Sequence, residues 1–262
     1  MRGKIAIIGF LFFSAIACGN ENTSISKEKG SEESQETRQE SKAEILVNEL
    51  IENHGGSKYD SAHFSFVFRD IEYSFHNKSS SFEYSRRFRK DSLEILDWMD
   101  GNNFSRLQNG SEMKLSAQEI GRYRSSINSV IYFATLPHKL NDEAVFKEYL
   151  GEDTIRGIAY QLVKVTFSEK GGGEDFDDEF LYWINSKNKN LDYFAYNYKV
   201  EGGGTRFRES INRRIVDGIV FQDYINYKAP IGMELKDLSK LFEKGELKLL
   251  SRIEMENIKA LP

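Results

Sequence analysis

The sequence predicts a mainly β fold (α+β): a strongly curved antiparallel sheet forming an unclosed half-barrel, with helices covering its concave face. Three observations carry that reading. Apolar side chains recur at every second position over long runs, clusters of Gly, Asn and Asp separate those runs, and three short segments have helical period. The 262-residue chain has one cysteine, so no internal disulfide forms and packing must hold the fold.

Residues 1–17 begin with Arg2 and Lys4, continue through an apolar stretch of about 13 residues, and end on small side chains. That stretch is shorter than the roughly 20 residues needed to span a bilayer, so the segment reads as a cleaved secretory signal. Cys18 follows small residues and precedes Gly19 and Asn20, an arrangement similar to the bacterial lipobox, although Ala15 stands where that pattern prefers leucine. Cys18 is therefore the expected site of lipid attachment; the alternative is an ordinary signal with a chance cysteine at its end. Residues 18–41 carry Glu, Ser, Lys, Gln and Thr but no aromatic side chain. Such a segment cannot offset its own ordering entropy and is expected to be a disordered tether reaching about 25–30 Å. Without residues 1–17 the chain holds 34 basic and 41 acidic side chains. Nucleic acid and anionic membrane surfaces are poor partners for such an acidic protein.

Residues 42–262 are expected to form one globular domain. The Ser41-x-x-Glu44 capping box and Gly55-Gly56 bound a helix over 42–54. In "HFSFVFRDIEYSF", Phe64, Phe66 and Phe68 share one strand face; in "SFEYSRRF", Phe82, Tyr84, Arg86 and Phe88 do the same. Further strands are expected at 93–98, 103–107, 111–115, 145–149, 158–167, 176–186, 191–200, 204–215 and 219–228, joined as hairpins by turns such as "QNGS" and "VEGGGT". A second capping box, Ser116-x-x-Glu119, opens a helix that Pro137 bounds and whose last turns are apolar around most of the circumference. A third helix spans about 234–244 before Gly245, and "ELKLLSRIEMENI" reads as a final strand, with a helix as the alternative. A long meander with one apolar face must curl over something, and the second helix can fill the concavity. Such a shape offers a cavity.

"NHGGSKYD", "NSVIYFATLPHKLND", "YWIN", "DYFAY" and "RFRESIN", together with the lipobox, resemble an uncharacterised family of bacterial lipoproteins similar to the LolA/LppX-type lipoprotein-carrier superfamily. The resemblance covers roughly residues 42–258. It implies an unclosed β-barrel with helices across its mouth and, by analogy, binding of a lipid or other apolar ligand.

Arg206 and Arg208 share a strand face and are candidate ligands for a carboxylate or phosphate headgroup; a salt bridge between strands is the alternative. Tyr132, Tyr182 and Tyr196 are candidate ligand contacts, as tyrosine keeps a polar tip within an apolar wall; filling the core is the alternative. The charges of Arg86, Arg87 and Arg89 fall on both faces and read as a solvated strand end. His54 at a helix end suggests a cation complementing the helix dipole. The four histidines have no zinc-ligand spacing, no nucleophile elbow is present, and the acidic run Glu174–Glu179 lacks a calcium-loop spacing. No catalytic residue, metal or cofactor is expected. Lys164 faintly resembles the Schiff-base strand of deoxyribose-phosphate aldolases, but those enzymes need an eightfold β/α barrel that this order of elements does not provide.

The expected function is that of a membrane-anchored envelope lipoprotein, placed in the outer membrane of a Gram-negative bacterium. It would hold an apolar or amphipathic ligand, lipid or lipoprotein, in the half-barrel. The alternative is an interaction lipoprotein with a packed core that docks another envelope protein.

Overall fold

A computed structural model describes residues 40–78, 80–101, 103–169, 177–199 and 202–262. The signal segment, Cys18, the tether up to residue 39 and, of the acidic run, Glu174 and Asp175 lie outside them.

Helix α1 (Lys42–His54) starts where the sequence places it: Ser41 Oγ accepts from the Glu44 N–H at 3.2 Å, and the Glu44 carboxylate accepts from the Ser41 N–H at 2.7 Å. Strands β1 (His63–Phe68), β2 (Ile71–Lys78), β3 (Ser81–Lys90), β4 (Leu93–Asp100), β5 (Asn103–Gln108) and the short β6 (Ser111–Glu112) follow as an antiparallel meander. Helix α2 (Ala117–Ala134) crosses next, with the same reciprocal cap at Ser116 and Glu119. A second meander comprises β7 (Val145–Ile155), β8 (Ile158–Phe167), β9 (Glu179–Asn185), β10 (Leu191–Tyr198), β11 (Gly204–Val216) and β12 (Ile219–Ala229). Helix α3 (Leu238–Glu243), β13 (Lys248–Ile253) and β14 (Glu256–Ala260) complete the chain.

Two seven-stranded antiparallel sheets result, ordered β14-β1-β2-β3-β4-β5-β6 and β13-β12-β11-β10-β9-β8-β7, and neither closes into a barrel. The single final strand expected from "ELKLLSRIEMENI" is two strands. β13 pairs with β12 in the second sheet and β14 with β1 in the first, so the chain passes from one sheet to the other at Glu254-Met255. Buried Asp223 holds that passage: its carboxylate accepts from the Met255 N–H at 2.9 Å, from Arg214 at 3.0 Å and from Asn212 at 3.1 Å, while Arg214 also donates to the Met255 carbonyl. A β-bulge between Ile211 and Arg214, with Asn212 at φ 49°, bends β11 there. Strand β7 runs six residues beyond its expected end because its ladder shifts register at Gly151 and then resumes.

The cores follow from this division. The inner face of the first sheet, with Phe64, Phe66, Tyr73, Phe75 and Tyr84, packs on Ile127, Ile131 and Ala134 of α2. On the second sheet's inner face, Phe180, Tyr182, Phe194 and Tyr196 pack on Leu46, Val47 and Leu50 of α1, and Tyr132 and Phe133 of α2 reach across to join them. The second sheet also buries its outer face, where Trp183, Tyr193 and Phe207 meet Leu238 and Phe242 of α3. Helix α2 thus bridges the two inner faces, and one space beneath it remains unfilled.

Candidate ligand-binding cleft

That space is a cleft of about 240 Å³ between the two sheets. The first sheet supplies Phe66 and Phe68 and the turn after β1 supplies Arg69; α2 supplies Ser129, Val130, Phe133 and Ala134; the second sheet supplies Tyr196, Arg208, Gln222, Tyr224 and Asn226; Ile253 and Met255 close it where the chain changes sheet. The wall is aromatic and aliphatic, and its charged members are two arginines. No carboxylate lines it among the described residues.

Strand alternation aims these groups. Phe207, one residue before Arg208, is fully buried on the outer face against α3, so Arg208 must point inward. Directly across the ladder it faces Phe194 on β10 and Asn226 on β12. Its Nη2 donates to the Tyr196 hydroxyl at 2.8 Å, and its guanidinium lies 4.1 Å from the Phe133 ring centre and within 5.3 Å of the Phe194 and Tyr196 rings. Arg208 is 7 % exposed, yet among the described residues its Nε and Nη1 have no acceptor and no carboxylate pairs with it. A buried charge without a counterion is costly, and such a site favours a complementary anion. Beside it, Asn226 donates to Ser251 Oγ at 3.2 Å and leaves Oδ1 without a donor. Gln222 is fully engaged, with the Leu191 carbonyl at 3.1 Å, the Tyr224 hydroxyl at 2.9 Å and the Arg213 Nε at 3.0 Å. Burial pushes the Tyr224 phenol up to about 12, so it stays protonated at neutral pH.

Of the residues singled out from sequence, Arg208 and Tyr196 line the cleft together. Arg206 lies one pleat further along β11 and outside the wall, donating to its own strand at the Thr205 carbonyl and to the Tyr198 hydroxyl. The Tyr132 and Tyr182 hydroxyls meet at 3.4 Å within the core of the second sheet, and burial pushes the Tyr132 phenol up to about 12. Glu209, on the opposite face from Arg208, accepts from Arg156 at 2.7 Å and Tyr227 at 3.1 Å.

Two sequence readings need correction. Arg86 is not part of a solvated strand end. It is 7 % exposed and donates to Asp97 at 2.7 Å and to Ser126 Oγ at 2.9 Å, while Arg106 donates to both Asp97 oxygens at 2.6 and 2.8 Å. The register sets Arg86, Asp97 and Arg106 in one row across β3, β4 and β5, beneath the Tyr123 ring of α2. The signal in the sequence was Asp97, an acidic side chain at an inward position of "LEILDWMD". His54, in turn, carries no cation to its helix end. It is fully buried, its Nδ1 lies 2.9 Å from the Leu50 carbonyl, and burial lowers its pKa to about 4, which leaves it neutral.

Lys164 sits 2.5 Å from Glu179, and that hydrogen bond raises its pKa. A Schiff-base lysine needs the opposite shift.

The model of a family of unknown function, DUF6503, matches residues 37–255. No curated protein matches the sequence. Among solved structures, the chain is similar to a LolA superfamily protein from Nitrosomonas europaea (10 % identity, TM-score 0.46, covering 82 % of this chain and 94 % of that one). It is also similar to a DUF1329 family protein from Desulfovibrio piger (10 % identity, TM-score 0.42, 83 % and 92 %). A third similar structure is an outer membrane lipoprotein-sorting protein domain from Vibrio parahaemolyticus (9 % identity, TM-score 0.39, 77 % and 99 %).

Proposed function

The chain belongs to the DUF6503 family, and on that premise we propose that it is an envelope lipoprotein, anchored through Cys18, that binds an apolar or amphipathic ligand without transforming it. The cleft between the sheets carries this reading: it is concave, largely apolar and equipped with one buried, uncompensated arginine. Its ligand contacts are Arg208, Tyr196 and Phe133, and the lipid on Cys18 holds the domain at the outer membrane.

The full chain, produced in a Gram-negative host and extracted in bilayer discs without detergent, tests the reading by native mass spectrometry followed by solvent extraction. A stoichiometric small amphiphile supports it, and a clean apo mass after incubation with envelope lipids contradicts it. In the same host, Cys18→Ala moves the chain out of the membrane fraction if Cys18 is the anchor.

A docking role is the second reading. It is favoured by β13, an end strand of its sheet whose Leu249 and Leu250 are 60 % and 47 % exposed.

A further inference from the structure

We infer that the cleft takes its ligand head first: a single-chain amphiphile whose oxyanion head, carboxylate or phosphate, reaches Arg208 at the buried end while its chain runs back toward the mouth. The inference rests on the reading of the cleft as a ligand site and adds the direction and chemistry of the ligand.

Exposure changes along the wall. Arg208 and Asn226 are each 7 % exposed, Gln222 3 % and Tyr224 2 %, whereas Arg69 is exposed and Phe68, Ser129, Val130 and Ile253 are partly so. Arg208 therefore lies at the deep end, among the buried Phe66, Tyr224 and Met255, and the outward wall is Phe68, Val130 and Ile253 with Ser129 and Arg69. The unpaired charge sits away from the mouth, the reverse of a pocket that swallows a hydrocarbon tail and leaves the head in water. The charge is one-sided as well. Arg208 and Arg69 line the cleft without a lining carboxylate among the described residues. Nε and Nη1 of Arg208 have no protein acceptor among the described residues and are closed off from water, so an oxyanion in the cleft meets the guanidinium charge at once and gains their charge-assisted hydrogen bonds as the surrounding side chains shift, which an alcohol or ammonium head cannot match. Phe133 and Tyr196, packed about the guanidinium, keep water from competing. The volume of about 240 Å³ lies below the 300–1,000 Å³ range of pockets that enclose drug-sized ligands, which leaves room for one chain and not for several acyl chains.

The test is the affinity of the full chain for octanoate, octyl phosphate, inorganic phosphate, octanol and octyltrimethylammonium. One or both octyl anions are expected to bind at least about tenfold more tightly than octanol, the cationic amphiphile and inorganic phosphate. The tighter of the two anions identifies the head as carboxylate or phosphate. Arg208→Gln is expected to weaken octyl-anion binding at least about tenfold while leaving octanol unchanged. Equal binding of octanol or octyltrimethylammonium overturns head-first binding and leaves the cleft a ligand site. Inorganic phosphate binding as tightly as octyl phosphate overturns the single-chain requirement. Failure of every octyl compound to bind the wild-type chain overturns this inference together with the reading it rests on.

Discussion

Each sheet buries an arginine row on its inner face, and the two rows are completed differently. Across β3, β4 and β5 the order is Arg86, Asp97, Arg106, and the carboxylate accepts from both neighbours. Across β10, β11 and β12 the order is Phe194, Arg208, Asn226, and no carboxylate occurs. The first row is internally satisfied and ties three strands to α2 through Ser126. In the second row a charge is held in place by a hydroxyl and aromatic faces and left open toward a cleft. Burying an arginine therefore does not by itself mark a site; the missing counterion does.

The largest expected effect breaks the closed row. Asp97→Ala removes the fully buried carboxylate shared by the buried guanidinium of Arg86 and the partly buried one of Arg106, and is expected to cost about 3–5 kcal/mol in denaturant unfolding. A loss no larger than that of Arg208→Gln would erase the contrast.

Acid is expected to act next, on the second sheet. His54 lies behind the cleft, with Gln222 and Arg213 among the groups that influence it, and its folded pKa of about 4 is below the 6.5 of the unfolded chain. A depressed pKa gives stability that is fully present above about pH 6.5 and is lost as the pH falls toward 4, here about 3 kcal/mol. His138, also lowered to about 4 by burial, adds to the same slope. His54→Gln should remove the His54 part of the pH dependence between 6.5 and 4 and keep that of His138 and of His76, whose pKa desolvation also lowers.

Arg208→Gln, the counterpart in the open row, is expected to leave stability within about 1 kcal/mol of wild type, because the loss of aromatic packing is offset by removal of an unpaired charge. A loss above about 3 kcal/mol would make the second row structural like the first. Lys164→Ala, at a partly exposed pair with Glu179, should change unfolding by about 0.5 kcal/mol or less.

The sequence displayed the elements because their signals are local. Both capping boxes, the Pro137 boundary and the alternation of Phe64, Phe66 and Phe68 appear in the structure as expected. The split into two sheets was not legible, since nothing local in "SRIEMEN" says that successive strands pair with β12 and β1; that choice lies in Asp223 and Arg214, far away in sequence. The candidate site was half visible. Alternation in "TRFRESIN" places Arg206 and Arg208 on one face, but only the cross-strand register gives Arg206 a tyrosine outside the cleft and Arg208 the cleft itself. For the same reason Arg86 looked solvated: its partners Asp97 and Ser126 sit on the next strand and on α2, 11 and 40 positions on in the sequence.

The most direct measurement is a titration of the full chain with octanoate and octyl phosphate, followed by the arginine Nε–H resonances in nitrogen-15 NMR spectra. The Arg208 resonance should shift to saturation with at least one of the two anions, while those of Arg86 and Arg106, already closed on Asp97, stay where they are. An Arg208 signal that does not move with either anion, or movement of all three together, would contradict the division between a closed row that holds the fold and an open row that holds a ligand.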